Sequence, residues 1–282
     1  FAVNAGGGTS DILIVAAALD IDTAGEAARY TNFETLRTNA SYDGDQVAGI
    51  TALQLTGATS QSYTDLSVSQ AGNIQIIATE TSPTFVLKTA TGTTDTLNLT
   101  MGTGLTSTAA SSILTGMTVT GFENLIITEN GGVAATAGAN QTSTIDAFTG
   151  STLNNIDLAG RAVTLSNIAT TVAVNIDGSE LTGNSAATGA QGLTVAGSAV
   201  AGSVIEGSAV RDSMTAGAEG STYNGNAGND AFSATAAIIL ADGTTDIVLN
   251  GGTGTDTLTL TGATGHTYVD ASFTNISKME GI

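Results

Sequence analysis

Gly225-Asn226-Ala227-Gly228-Asn229-Asp230-Ala231-Phe232-Ser233 and Gly251-Gly252-Thr253-Gly254-Thr255-Asp256-Thr257-Leu258-Thr259 follow one pattern: a glycine turn, an acid in sixth place, a large apolar residue in eighth. The second matches the repeating nonapeptide G-G-x-G-x-D-x-U-x completely; the first departs from it only at Asn226. Reading outward from Gly225, four consecutive blocks of nine keep register over residues 198–206, 207–215, 216–224 and 225–233. Their eighth positions are Ile205, Met214, Tyr223 and Phe232. Each block therefore reads as a turn followed by a short strand, with the eighth side chain directed into a core.

The residue types in the turns have a common chemical sense. Glycine admits the positive φ values that aim several carbonyl oxygens to one side. Aspartate adds negative charge on a short arm. A hard ion such as Ca2+ takes six to eight oxygen ligands, and this combination supplies oxygens of both kinds. Two nonapeptides make one coil, so equivalent turns lie 18 residues apart, the separation of Asp212 and Asp230. Those two acids are expected to stack on one side. On the other side Ser221 stands where the acid would be, with Glu219 nearby, and metal binding there is expected to be weak or absent. The candidate calcium residues are thus Asp212, Gly225, Gly228, Asp230, Gly251, Gly252, Gly254 and Asp256, with Asp246 as a further ligand.

A longer unit recurs on either side of this run. It begins with glycine and aspartate, continues with alternating apolar residues and closes on Phe, a polar residue and an apolar pair. The copies run from Gly6-Gly7-Gly8-Thr9-Ser10-Asp11-Ile12-Leu13 to Phe33-Glu34-Thr35-Leu36, from Gly92-Thr93-Thr94-Asp95-Thr96-Leu97-Asn98-Leu99 to Phe122-Glu123-Asn124-Leu125-Ile126-Ile127, and from Gly251-Gly252-Thr253-Gly254-Thr255-Asp256 to Phe273-Thr274-Asn275-Ile276. Period-two alternation after each acid predicts half-buried strands, and the inserts at 24–30 and 107–114 are expected to hold short helical turns. Asp11 and Asp95 read equally as calcium ligands in degenerate turns or as side chains that cap a turn. Short strands separated by polar turns fill the rest, a pattern that a sandwich shares. Small and β-branched residues with only 4 % aromatics suit thin, stacked layers better. The expected fold is all-β: a parallel β-solenoid or β-roll with Gly/Asp-rich calcium-binding turns and short helical inserts. Residues 1–130 would form a solenoid carrying two of the long units, and 131–282 a solenoid or roll carrying the nonapeptides.

Composition narrows the function. Twenty-five acids face six Lys and Arg, a formal charge of −19, which disfavours nucleic acid and anionic membranes as partners. Such charge fits bound cations, a merely soluble acidic surface or a salty habitat. The chain has no cysteine and so no disulfide, and bound metal often serves as the cross-link in secreted Gly- and Asp-rich proteins of this kind. Its sole histidine, His266, excludes an H-E-x-x-H zinc site, and no G-x-S-x-G elbow is present; no enzyme activity is expected. Neither a signal peptide nor a transmembrane run is found. The opening Phe1-Ala2-Val3 lacks Met, so the chain reads as a piece of a longer one.

The ordered set Asp11-Ile12-Leu13, Phe33-Glu34-Thr35-Leu36-Arg37-Thr38, Gly49-Ile50-Thr51-Ala52-Leu53-Gln54-Leu55 and Thr94-Asp95-Thr96-Leu97-Asn98-Leu99 resembles bacterial surface-layer proteins of the Caulobacter type, and the later nonapeptides are similar to that family's calcium repeats. The resemblance implies a secreted, extracellular cell-surface protein, exported by type I secretion, whose calcium-held β-solenoid assembles with copies of itself into a two-dimensional lattice. The family's lipopolysaccharide-anchoring helical domain has no counterpart in these residues. The alternative is a calcium-stiffened stalk segment of a large secreted adhesin, and behind that the non-catalytic roll of a secreted enzyme.

Overall fold

The computed structural model describes residues 2–16, 21–57, 59–101, 113–130, 142–145, 148–184, 189–197, 200–240, 246–262, 267 and 269–281. Among them the strands form three large sheets of twelve, eight and six strands, plus a small pair, Val3–Asn4 with Tyr30–Thr31. The long sheet runs from Ile12–Val15 to Ile276–Ser277, the middle sheet from Glu80–Thr81 to Thr257–Thr261, and the short sheet from Tyr42–Asp43 to Ile168–Thr170. Within each sheet the strands lie in chain order and pair in parallel. The fold is therefore predominantly β and parallel.

The order of visits explains the shape. Ile74–Ile76 belongs to the long sheet, Glu80–Thr81 to the middle and Thr84–Leu87 to the short, and the cycle repeats through Ile168–Thr170. From Gln191–Ala196 onward none of the described residues joins the short sheet. The chain then alternates between Val204–Glu206, Thr222–Asn224 and Val248–Asn250 in the long sheet and Arg211–Thr215, Ala231–Thr235 and Thr257–Thr261 in the middle one. A three-sheet order of visits thus gives way to a two-sheet one between Thr170 and Gln191. The strands on either side of residue 130 remain neighbours, because Asn124–Glu129 pairs directly with Asn155–Gly160.

Alternation creates the core. In Thr96–Met101 the residues Leu97, Leu99 and Met101 are buried while Thr96, Asn98 and Thr100 on the other face are half-buried. Parallel in-register pairing then places like above like. Leu97, Leu125, Ile156, Ile176, Ile205, Tyr223, Leu249 and Ile276 make one column through eight strands of the long sheet. Leu114, Ile145, Leu165, Val195, Met214, Phe232 and Leu258 make another in the middle sheet. The four eighth-position residues of the nonapeptides stand in these two columns, alternating between them. Each fully buried aliphatic of this kind contributes about 1.5–3 kcal/mol relative to exposure. Aromatics enter sparingly, as where the Tyr63 and Phe85 rings stack at 5.4 Å.

The α-helical turns among the described residues are short: Ala24–Ala27, Val68–Ala71 and Ala236–Ile239, each begun by a hydroxyl cap at Thr23, Ser67 or Thr235. The first falls in the insert at 24–30. Of the insert at 107–114, residues 107–112 lie outside the described residues, and the end is strand, Ile113–Thr115, rather than helix. Its β-branched Ile113 and Thr115 favour that outcome.

Candidate metal centre

From Val204 onward the turns that lead from the long sheet to the middle sheet stack along one edge. They span 207–210, 225–230 and 251–256 and deliver Asp212, Asp230 and Asp256 to equivalent positions. All three acids are buried, with side chains at most 1 % exposed. A relay of hydrogen bonds links them. The Asp212 N–H donates to Asp230 Oδ1 at 2.7 Å, and the Asp230 N–H to Asp256 Oδ1 at 2.8 Å. The Asp256 N–H donates to Glu280 Oε2 at 2.6 Å. Each carboxylate thereby caps the backbone of the rung before it, in a geometry that strengthens the bond by charge.

The second oxygens are the informative ones. Asp230 Oδ2 and Asp256 Oδ2 are buried and have no hydrogen-bond partner. A buried carboxylate oxygen left unsatisfied is costly, about 1–3 kcal/mol or more for a charged group. Each stands over a glycine that leaves just enough room. A Cβ on Gly225 would strike both Asp230 Oδ2 and the Gly251 carbonyl oxygen; one on Gly251 would strike Asp256 Oδ2 and the Lys278 carbonyl oxygen. Carboxylate and carbonyl oxygens thus converge between successive rungs in a cradle that any side chain would fill. Gly254, with φ +145°, carries the stacking further, since a Cβ there would collide with the Gly228 carbonyl.

Electrostatics agree with the geometry. Burial pushes the Asp230 carboxyl up to about 7, with Asp212 and Asp256 adding repulsion and the bond from the Asp212 N–H opposing. Burial also raises Asp212, against the bonds it accepts from Leu193 and Ser208. Among the described residues no Lys or Arg side chain pairs with these three acids. Nor do three or more His, Cys, Asp or Glu side chains converge as a metal-ligating group among the described residues. A cation here would take one carboxylate per rung and complete its shell with carbonyl oxygens, which suits a hard ion.

The other expected residues are placed differently. Asp246 precedes Val248–Asn250 and lies exposed on the opposite edge, accepting from Asn275 Nδ2 at 3.2 Å, so it does not join the acid column. Ser221 occupies the matching place on that edge, fully buried, with its hydroxyl unpartnered. Asp11 and Asp95 precede strands of the long sheet, where their N–H groups donate to Glu34 Oε2 at 2.9 Å and Glu123 Oε2 at 3.0 Å. Asp95 also caps its own turn, accepting from the Gly92 N–H at 3.3 Å, while Asp11 Oδ2 has no partner. His266 lies outside the described residues.

Three Glu residues that cap these acids' backbone were absent from the candidates. Glu34, Glu123 and Glu280 each use a carboxylate oxygen to cap the N–H of Asp11, Asp95 or Asp256, and each donates its own N–H to that acid's carbonyl, at 3.2, 3.0 and 2.9 Å. The third long unit therefore closes on Met279-Glu280-Gly281 and not on Phe273-Thr274. Phe, Phe and Met before the three Glu were the available signal.

No family model, curated protein or solved structure matches the chain.

Proposed function

We propose that this chain is a non-catalytic structural segment, a β-solenoid whose acid edge is cross-linked by calcium, serving as a self-assembling subunit of a secreted bacterial surface layer. The observation that carries the reading is the pair of buried, unpartnered oxygens, Asp230 Oδ2 and Asp256 Oδ2, each facing a carbonyl oxygen of the next rung across a glycine. Calcium bound there would supply positive charge between rungs and tie them together. Asp230 and Asp256 would hold it through Oδ2 while Oδ1 keeps its bond to the rung before. Gly225 and Gly251 keep the space open, and the Gly251 and Lys278 carbonyls complete the cradle. The surface-layer assignment is supported by the resemblance of the ordered motifs, with copies of the chain as partner and an extracellular location.

Light scattering on the purified protein, first with chelator and then with millimolar calcium, tests the proposal. Growth into sheets only with calcium is the expected result. A calcium-stabilised particle that stays monomeric favours the adhesin stalk, and indifference to calcium in both folding and size removes the calcium reading.

A further inference from the structure

The three stacked turns are not chemically equal. Asp212 has no free oxygen: Oδ2 accepts from the Ser208 N–H at 2.7 Å, and Oδ1 accepts from the Leu193 N–H at 2.6 Å and faces the Ser208 hydroxyl at 2.8 Å. Ser208 is itself buried, 1 % exposed. The residue matching Ser208 in the next turn is Asn226, with φ +70°, and in the last it is Gly252, with φ +98°. A positive φ at this position rotates the peptide, and neither Asn226 nor Gly252 donates an N–H to the aspartate of its turn. Ser208 does not have a positive φ and does donate. Two residues on, the later turns carry Gly228 at φ +133° and Gly254 at φ +145°; the first carries Val210, which lacks a positive φ. Val210 is β-branched and resists that region of backbone space. The first turn has thus closed upon its own acid.

We infer that Ser208 stands in for the cation at Asp212, so that the calcium edge begins at Asp230: Asp212 is a cap, and Asp230 and Asp256 are ligands. The inference rests on the calcium reading of this edge. It also assigns a sequence determinant of occupancy, because the second and fourth turn residues decide whether the aspartate is satisfied from within.

Isothermal titration of the chelator-stripped protein with calcium tests it. Asp212→Asn should bind as many ions as the parent protein, whereas Asp230→Asn and Asp256→Asn should each bind one fewer. The double variant Ser208→Gly/Val210→Gly, which retains Asp212, should bind one more, and it decides the matter if Asp212→Asn does not fold. Loss of an ion in Asp212→Asn, or no gain in the double variant, overturns the assignment. Absence of calcium uptake by the parent protein would instead remove the reading beneath it.

Discussion

Asp230→Asn separates the two roles given to that side chain. Asparagine retains an Oδ1 that can accept the Asp212 N–H, now at 2.7 Å, but removes the charge at Oδ2. In the calcium-free protein above pH 7 the parent carries a buried carboxylate whose pKa is raised from 3.8 to about 7. By linkage that is a penalty of about 4 kcal/mol, which the amide avoids. Part of the gain is lost with the charge-assisted bond, leaving a net stabilisation of roughly 1–3 kcal/mol for the variant in chelator. In calcium at a hundred times its dissociation constant, each filled site stabilises the parent by about 2.7 kcal/mol, and the variant forgoes one such contribution. The order of stability should therefore narrow sharply or reverse between chelator and calcium. Thermal unfolding followed by circular dichroism reads this directly, at roughly 2–4 °C per kcal/mol for a chain of this size. If Asp230→Asn loses the same stability in both media, the aspartate is a turn cap and nothing more.

The remaining expectations concern pH, the glycine stack, the Glu caps and the core. Because the folded state holds the Asp230 proton more tightly than the unfolded state, the chelated protein should lose stability as pH rises from about 4 to about 7; the Asp230→Asn variant should show a flatter profile in denaturant titrations across that window. Gly254→Ala, whose Cβ would collide with the Gly228 carbonyl at a φ of +145°, should lower stability by about 2 kcal/mol or more and abolish calcium-dependent stabilisation, whereas an unchanged melting temperature would contradict the rung contact. Glu123→Ala leaves the Asp95 N–H without its acceptor and should cost about 1–3 kcal/mol, largely restored in Glu123→Gln. Leu125→Ala, in the middle of the long-sheet column and 1 % exposed, should cost about 2–5 kcal/mol by equilibrium unfolding, with calcium binding retained.

Much of the architecture was legible because it depends on short periods. Alternation after Asp95 correctly turned Leu97 and Leu99 inward, and the nine-residue register put Ile205, Met214, Tyr223 and Phe232 into buried columns. The number of sheets was not legible. Whether the chain turns after Leu165 into a further strand, Ile168–Thr170, or after Val195 into a return turn depends on corner geometry that no residue type announces. At the acid edge the glycines and aspartates marked the position, but the hydrogen bonds from Ser208 that satisfy Asp212 depend on backbone conformation at Ser208 and Val210, which the acid spacing alone does not report. Asp246 was expected as a further ligand two turns before Asp256, but it leads into a strand of the long sheet whereas Asp256 leads into one of the middle sheet. The Glu caps were hidden because Phe273-Thr274-Asn275-Ile276 imitates the closing pattern that Met279-Glu280 fulfils.

The carboxylate relay also has a polarity. Asp230 serves Asp212, Asp256 serves Asp230 and Glu280 serves Asp256, so every acid reaches back toward an earlier rung. A stack adding a rung at its amino end brings a backbone N–H to a carboxylate already held in place. One adding a rung at its carboxyl end must immobilise the acid in the same step, at the expense of side-chain freedom. Of the two directions, ordering the stack from its carboxyl side therefore costs less side-chain freedom at each rung.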